Sequence, residues 1–138
     1  MKTDVPVAEV MTPHPRAVQM GQKLSEVRAA LADSRVHHLP VVDGKRLVGI
    51  ISVTDLLEYG FRPRDTHENL DEYLDQQFSI EQIMQADVTT IPSNSTIGDA
   101  ARALRTGALH ALPVVDDGGE LVGIVTSTDL VSYLASPG

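Results

Sequence analysis

The chain of 138 residues contains no cysteine. Disulfide bonds, thiolate nucleophiles and Cys-ligated metal sites are therefore excluded. The sequence also lacks a G-x-S-x-G turn and a glycine-rich phosphate loop of the Walker type, which mark two large classes of enzyme. The adjacent His37 and His38 cannot easily share one metal ion, because neighbouring side chains on a strand point to opposite faces. These absences predict a protein that is not an enzyme and has neither catalytic residues nor a metal site.

Basic residues are in the minority, with 11 Lys and Arg against 19 Asp and Glu and a formal net charge of -8. This charge has the wrong sign for a surface that neutralises nucleic-acid phosphates. No stretch approaches the roughly 20 apolar residues of a membrane-spanning helix. The first residues, MKTDVPVAEVMTP, lack the apolar core of a signal peptide. We expect a soluble, cytoplasmic protein that binds neither nucleic acid nor membrane.

Nearly the same octapeptide is present twice in the chain, as GIISVTDL at 49–56 and as GIVTSTDL at 123–130. The repetition extends upstream, because LPVVD occurs at 39–43 and again at 112–116. Such self-similarity over most of a chain indicates two copies of one structural unit. The sequence therefore predicts two repeats, residues 7–60 and 80–134, joined by a connector of residues 61–79.

Each repeat is predicted to have the order strand, helix, strand, strand, helix. The first helix shows apolar residues at helical spacing, which are Leu24, Val27 and Leu31 in the first repeat and Ile97, Ala100 and Leu104 in the second. Thr96 and Asp99 have the spacing of a capping box, whereas the first repeat has Lys23 at that position. Two β-branched runs around a glycine turn then predict a hairpin.

The last helix of each repeat is predicted to begin near Thr54 or Thr128. Its apolar residues are expected to be buried, namely Leu56, Leu57 and Tyr59 in the first repeat and Leu130, Val131, Tyr133 and Leu134 in the second. The connector carries Leu70, Leu74 and Phe78 at near-helical spacing, so we predict a surface helix there. Its acidic residues are interpreted as a solvated face, with a partner-docking face as the alternative.

Together, the tandem LPVVD and LVGI[IV][ST]-x-T-D-L segments resemble a pair of CBS domains, the regulatory unit called a Bateman module. The resemblance extends from Val7 to about Leu134 and includes every segment of the pattern in both repeats. It implies an α/β (α+β) fold of two pseudo-symmetric repeats packed through their sheets. It also implies a nucleotide site, since members of the family bind different adenosine-containing molecules.

By this resemblance, Asp55 and Asp129 would accept hydrogen bonds from the ribose hydroxyls of a nucleotide. The hydroxyl groups beside them, those of Ser52, Thr54, Thr126 and Thr128, would donate to phosphate oxygens. This division is chemically reasonable, because a carboxylate only accepts hydrogen bonds and a hydroxyl can donate. The helix that starts at the turn also favours an anion at its N-terminus. The alternative is that these residues are only N-caps of their helices.

The resemblance extends the candidate site to further residues in each repeat. The phosphate end would include His37 and His110 of the two His-x-Leu-Pro segments, together with His38, Arg62 and Arg64. The base would contact Val36, Val27 and Gln22 in the first repeat and Leu109, Ala100 and Ser95 in the second. Each of the residues expected to contact the base can also be an ordinary core or helix-start residue. Because the two sets differ in size and charge, we predict two unequal clefts.

These features predict a regulatory sensor that binds AMP, ADP or ATP between two CBS repeats and signals through conformation or dimer arrangement. S-adenosylmethionine is a further candidate ligand, and no cofactor is required. A homodimer is expected from the family, and a regulated protein partner is possible. The alternatives are a ligand-independent interaction or dimerisation module, and a regulatory subunit of an unidentified enzyme or transporter.

Overall fold

A computed structural model of the chain describes residues 4–33, 35–65 and 68–136. The strands are β1 (Thr12–Pro13), β2 (Val18–Gln19), β3 (His38–Asp43), β4 (Arg46–Ser52), β5 (Ile91–Pro92), β6 (Ala111–Val115) and β7 (Leu121–Thr126). The helices are α1 (Leu24–Leu31), α2 (Val53–Glu58), α3 (Glu68–Gln77), α4 (Ile80–Ile83), α5 (Ile97–Leu104) and α6 (Ser127–Ala135). The mixed α+β class is confirmed. Each repeat contains the predicted order of strand, helix, two strands and helix, preceded by β1 in the first repeat and by α4 in the second.

The chain forms two compact units that do not coincide with the sequence repeats. The continuous unit comprises residues 16–88, and the split unit comprises the described residues 4–15 and 89–136. The opening segment of each repeat therefore belongs to the unit that holds the other repeat's strands. Segment 4–15 joins β5, β6 and β7, whereas α4 joins β2, β3 and β4.

In the continuous unit, the sheet has the order β2-β3-β4. β3 and β4 form the predicted antiparallel hairpin, and β2 lies parallel to β3. The hairpin turns at Gly44, whose φ of 68° lies in the left-handed region that favours glycine. Residues from α1, the hairpin, α2, α3 and α4 fill the core beneath this sheet, with Leu39, Leu74 and Ile80 fully buried.

In the split unit, the sheet has the order β1-β7-β6-β5. β6 and β7 repeat the antiparallel hairpin, and Gly119 turns between them with a φ of 80°. β1 adds an antiparallel edge strand to β7, so that Thr12 lies opposite Ile124. The core of this unit contains Val7 from segment 4–15 together with residues of α5, β6, β7 and α6.

The starts of α1 and α5 differ as the sequence predicts. The Thr96 hydroxyl accepts from the Asp99 N–H at 3.2 Å, and the Asp99 carboxylate accepts from the Thr96 N–H at 2.9 Å. This reciprocal pair satisfies two backbone donors at the start of α5. Lys23 offers no side-chain cap to α1, and its N–H reaches Glu26 only at 3.5 Å.

The prediction that the last helix of each repeat buries all its apolar residues is wrong. Leu56 and Leu130 are buried, but Leu57 is 49% exposed and Tyr59 is also exposed. In α6, Val131 is 63% exposed, Leu134 is exposed and Tyr133 is half-buried. The physical reason is that a helix can turn only one stripe toward the sheet. Leu57, Tyr59, Val131 and Leu134 therefore remain exposed, whereas Tyr133 packs against the edge of its core.

Candidate functional site

The first motif turn lies where β4 ends at Ser52 and α2 begins. The Ser52 hydroxyl accepts from the Asp55 N–H at 3.3 Å and lies 3.1 Å from Asp55 Oδ2. The same Oδ2 atom accepts from the Ser52 N–H at 2.8 Å. Asp55 is only 4% exposed. The Ser52 hydroxyl is thus already engaged by the cap that starts the helix.

A residue outside the motif completes the hydrogen bonds of Asp55. The side-chain nitrogen Nε2 of Gln85 donates to Asp55 Oδ1 at 2.9 Å. The backbone of Gln85 is anchored to β4, because its N–H donates to Ile50 O at 2.8 Å and its carbonyl accepts from Ile50 N at 2.9 Å. Both carboxylate oxygens of Asp55 therefore accept hydrogen bonds from the protein.

The second motif turn has the same helix cap, but Asp129 has one hydrogen-bonding partner residue fewer than Asp55. The Thr126 hydroxyl accepts from the Asp129 N–H at 3.1 Å, and Asp129 Oδ2 accepts from the Thr126 N–H at 2.8 Å. Asp129 is half-buried. Within the described residues, its other oxygen Oδ1 accepts no hydrogen bond. Of the four carboxylate oxygens of Asp55 and Asp129, Asp129 Oδ1 is thus the one that accepts no hydrogen bond from the described residues.

The middle hydroxyl residues of the two motifs are more open than the first ones. Thr54 and Thr128 are both exposed near the start of their helices. Ser52 and Thr126 are half-buried and serve as N-caps. Of the four hydroxyl groups predicted from the sequence, those of Thr54 and Thr128 thus belong to exposed residues that do not serve as N-caps.

The structure places the three predicted histidines around the start of the hairpins. His37 precedes β3 and is exposed, and His110 precedes β6 and is also exposed. His38 is half-buried at the first position of β3, directly opposite Ser52 in the register. His38 thus lies beside the first motif turn, whereas Ala111 holds the matching place opposite Thr126.

The residues predicted to contact the base lie partly inside the two cores. Val27 and Ala100 are 0% exposed and Ser95 is buried, so none of the three offers much accessible surface. Val36 and Leu109 are half-buried. Gln22, also half-buried, accepts from the Gln19 N–H at 2.7 Å and donates to Glu26. Val36, Leu109 and Gln22 therefore have more surface to offer a ligand.

Arg62 and Arg64 lie between α2 and α3, and both are exposed. The Arg62 N–H donates to the Asp65 carboxylate at 3.1 Å, which orders the backbone of this segment. Arg64 lines a groove between α1 and α3 that also contains Arg28 and Asp71. Arg64 therefore lies near α3, the helix of the connector.

In residues 4–33, 35–65 and 68–136, no cluster of three or more His, Asp or Glu side chains could hold a metal ion. No helix in the same part of the chain is long and apolar enough to cross a membrane.

Gln85 is the site residue that sequence reasoning missed. It lies immediately after Met84, and the preceding repeat has Thr12 after Met11. The repeat alignment could have shown this difference between two matched positions. Its meaning required the structure, because Gln85 is far from Asp55 in sequence and meets it only through the pairing with Ile50.

The sequence model of a family described as CBS domain matches the chain twice, at residues 7–62 and 80–136. The uncharacterized protein MJ1232 of Methanocaldococcus jannaschii is 30% identical over 132 residues, which are 96% of this chain and 38% of that protein. An inosine-5'-monophosphate dehydrogenase of Thermoplasma acidophilum is 31% identical over 110 residues, 80% of this chain and 20% of that enzyme. The chain thus spans well under half the length of these two relatives.

Two solved structures resemble the chain over nearly its whole length. CBSX2, in complex with AMP, has a TM-score of 0.78 at 27% identity and covers 94% of this chain and 96% of its own. The CBS domain pair of protein MJ0100 is in complex with 5-methylthioadenosine and S-adenosyl-L-methionine. It has a TM-score of 0.74 at 26% identity and covers 95% of this chain and 100% of its own.

Proposed function

This chain belongs to the CBS-domain family as a tandem pair, and from that we propose that it is a regulatory sensor of an adenosine-containing nucleotide. AMP, ADP and ATP are the first candidates, and S-adenosylmethionine is the next. The ligand would be a signal rather than a cofactor, and the protein itself would catalyse no reaction. The similar structures named above, one in complex with AMP and one with 5-methylthioadenosine and S-adenosyl-L-methionine, support this class of ligand.

One observation on this chain carries the proposal. Asp129 keeps a carboxylate oxygen without a protein donor in the described residues, and exposed Thr128 lies one residue before it. A carboxylate is suited to the vicinal hydroxyls of ribose, and a threonine hydroxyl can donate to a phosphate oxygen. Capping alone uses only Oδ2 of Asp129, so the arrangement leaves acceptor capacity beyond what the helix needs.

The signal would arise through linkage between binding and conformation. A ligand shifts an equilibrium only by the difference between its affinities for the two states. A nucleotide that contacts the motif turns would therefore favour whichever arrangement of the protein binds it more tightly. The proposal places this sensor in the cytoplasm, as the sequence predicts.

We further propose that the sensor is a homodimer. The apolar side chains that α2 and α6 leave exposed, Leu57, Val131 and Leu134 among them, support an apolar interface. A two-fold symmetric dimer would bury the same residues on both copies. The match to part of a longer dehydrogenase supports a second candidate, in which the chain acts as the regulatory subunit of a separate protein.

A thermal-shift assay with AMP, ADP, ATP and S-adenosylmethionine tests the nucleotide proposal. A ligand at 100 times its Kd adds about 2.7 kcal/mol of stability, which raises the midpoint of unfolding measurably. The double variant Asp55→Asn/Asp129→Asn should lose the shift, whereas Asp117→Asn, an exposed residue of the β6–β7 loop, should retain it. No shift with any of the four compounds would favour the ligand-independent interaction module.

A further inference from the structure

The two motif turns differ in the residue that a neighbouring segment places beside each of them. Gln85 pairs with Ile50 of β4, and Thr12 pairs with Ile124 of β7. Ile50 and Ile124 are the second residues of the two octapeptides, so Gln85 and Thr12 hold equivalent places. Gln85 and Thr12 thus pair with the same position of the repeated octapeptide, and they differ in their side chains.

The side chain of Gln85 is long enough to reach the first carboxylate. Its amide nitrogen donates to Asp55 Oδ1 at 2.9 Å, while Oδ2 is engaged by the cap at Ser52. Asp55 is also the more buried of the two motif acids. A ribose hydroxyl that approached Asp55 would therefore have to compete with the Gln85 amide at a carboxylate that is only 4% exposed.

The side chain of Thr12 is shorter, and it leaves the second carboxylate open. Thr12 is exposed and, within the described residues, its hydroxyl does not bond to Asp129. A ribose hydroxyl at this turn would form a charge-assisted hydrogen bond without breaking one. Since this charge-assisted hydrogen bond is available at only one of the two turns, they should differ about tenfold or more in affinity.

We propose that Gln85 closes the Asp55 turn to ribose, so that the chain binds nucleotide preferentially at the Asp129 turn. This inference rests on the proposed nucleotide-sensing function and identifies which copy of the motif performs it. The residue that sets the difference lies outside the repeated octapeptide. The two turns would then differ in nucleotide affinity because of Gln85 and Thr12, although both turns have the same motif aspartate.

A reciprocal exchange of the two residues tests this directly by isothermal titration calorimetry with AMP, ATP and S-adenosylmethionine. The wild type should show one dominant site per chain. Gln85→Thr should add a second site within about tenfold of the first, and Thr12→Gln should weaken the original site about tenfold or more. Gln77→Thr, an exposed glutamine at the end of α3, is the matched control and should change neither value.

Conservative substitutions of the acids assign the sites. Asp129→Asn keeps an acceptor for the Thr126 N–H and should weaken wild-type binding about tenfold or more, whereas Asp55→Asn should change it by less than about twofold. AMP should bind the wild type more tightly than 2'-deoxy-AMP, and Asp129→Asn should abolish most of that preference. Circular dichroism melts would verify that each variant is folded.

The outcomes separate this inference from the proposed function. Two equal sites in the wild type, or a wild-type site lost in Asp55→Asn and retained in Asp129→Asn, would overturn the role of Gln85 and leave nucleotide sensing standing. Absence of binding by the wild type and by Gln85→Thr, for all three compounds, would overturn both. A gain of binding in Gln85→Thr alone would support the role of Gln85 even though the wild type failed as a sensor.

Discussion

The guanidinium of Arg28 in α1 is buried and forms an ion pair with the carboxylate of Asp71 in α3. Nε of Arg28 lies 2.9 Å from Asp71 Oδ1, and only 4% of the Arg28 side chain is exposed. One turn of α3 further on, Asp75 accepts from the Ser25 N–H at 2.9 Å and from its hydroxyl at 2.7 Å. The connector helix is thus attached to α1 by two acidic residues, in addition to the buried Leu74.

Asp71→Ala should therefore destabilise the protein markedly. The change leaves the buried Arg28 without its carboxylate, and hydrogen bonds to charged groups contribute about 1.5–3 kcal/mol each. Urea unfolding followed by circular dichroism would measure the loss. Glu72→Ala, the exposed neighbour on α3, removes the same charge and should cost less than about 0.5 kcal/mol. Equal losses in both variants would contradict a specific role for the ion pair.

Gly49→Ala should destabilise the continuous unit because a Cβ at this position meets Met84. The added atom would lie 2.5 Å from the Met84 sulfur and 3.1 Å from the carbonyl oxygen of Gln85, a backbone atom that cannot rotate away. Overpacking of this kind costs about 1–3 kcal/mol. Urea unfolding would show the effect as a lower midpoint.

Gly123→Ala should cost less than Gly49→Ala. The three atoms nearest to its added Cβ all belong to the flexible side chain of Met11, which can adopt another rotamer. Gly21→Ala is the control, because nothing lies within 4 Å of its added Cβ. A midpoint for Gly49→Ala equal to that for Gly21→Ala would contradict the close approach of Met84 to β4.

Stability should fall as the pH drops toward 2. The hydrogen bond from the Arg35 side chain lowers the pKa of Asp33 from 3.8 to about 2. The hydrogen bond from the Thr96 backbone N–H, followed by that from its hydroxyl, lowers the pKa of Asp99. A carboxyl with a lower pKa in the folded state binds its proton more tightly when unfolded, so its contribution is present above pH 4 and is lost below it.

The midpoint of urea unfolding at pH 7, 4 and 2.5 would measure this dependence. Asp33→Asn and Asp99→Asn should each flatten the acid side of the profile, while Asp117→Asn removes one exposed charge from a loop and should leave its shape unchanged. Profiles of Asp33→Asn and Asp99→Asn that run parallel to the wild type would show that neither carboxyl contributes.

In the Gln85→Thr variant, whose Asp55 turn is expected to bind nucleotide, His38→Ala and Arg62→Ala should weaken ATP binding more than AMP binding. Both residues add positive charge or donors to the continuous unit, where His38 lies opposite Ser52 and Arg62 is exposed. A longer polyphosphate gains more from such groups than a monophosphate does. Calorimetric titration gives the ratio of the two affinities. Lys45→Ala, which removes an exposed charge from the β3–β4 loop, should leave that ratio unchanged.

Val131→Asp should dissociate the proposed homodimer. The side chain of Val131 is the most exposed of the large apolar residues of α2 and α6, and a charge buried at an apolar interface is strongly unfavourable. Light scattering at high concentration should give a dimer for the wild type and a 14.9 kDa particle for the variant. Ser132→Asp, which adds the same charge at the next position of α6, is the matched control. A wild type that stays at 14.9 kDa would refute the dimer.

The sequence was sufficient wherever the interactions are local. The two hairpins, the helices that follow them and the caps of Ser52 with Asp55 and of Thr126 with Asp129 depend on residues at most a few positions apart. Turn residues, periodicity and capping pairs act over such distances, so the pattern predicts them. The repeat, and through it the family, can be identified from the amino-acid sequence alone.

The tertiary structure decided which side chains meet across long separations and which apolar faces stay outside the cores. The acidic residues of the connector were interpreted only as a solvated face, but Asp71, which is 46% exposed, also pairs with Arg28 because α3 packs along α1. Leu57 and Val131 were predicted to be buried, but their helices turn a different stripe inward. Gln85 reaches Asp55 because the backbone of the segment after α4 pairs with β4. Such contacts depend on where whole elements pack, and no local preference of the residues involved specifies that position.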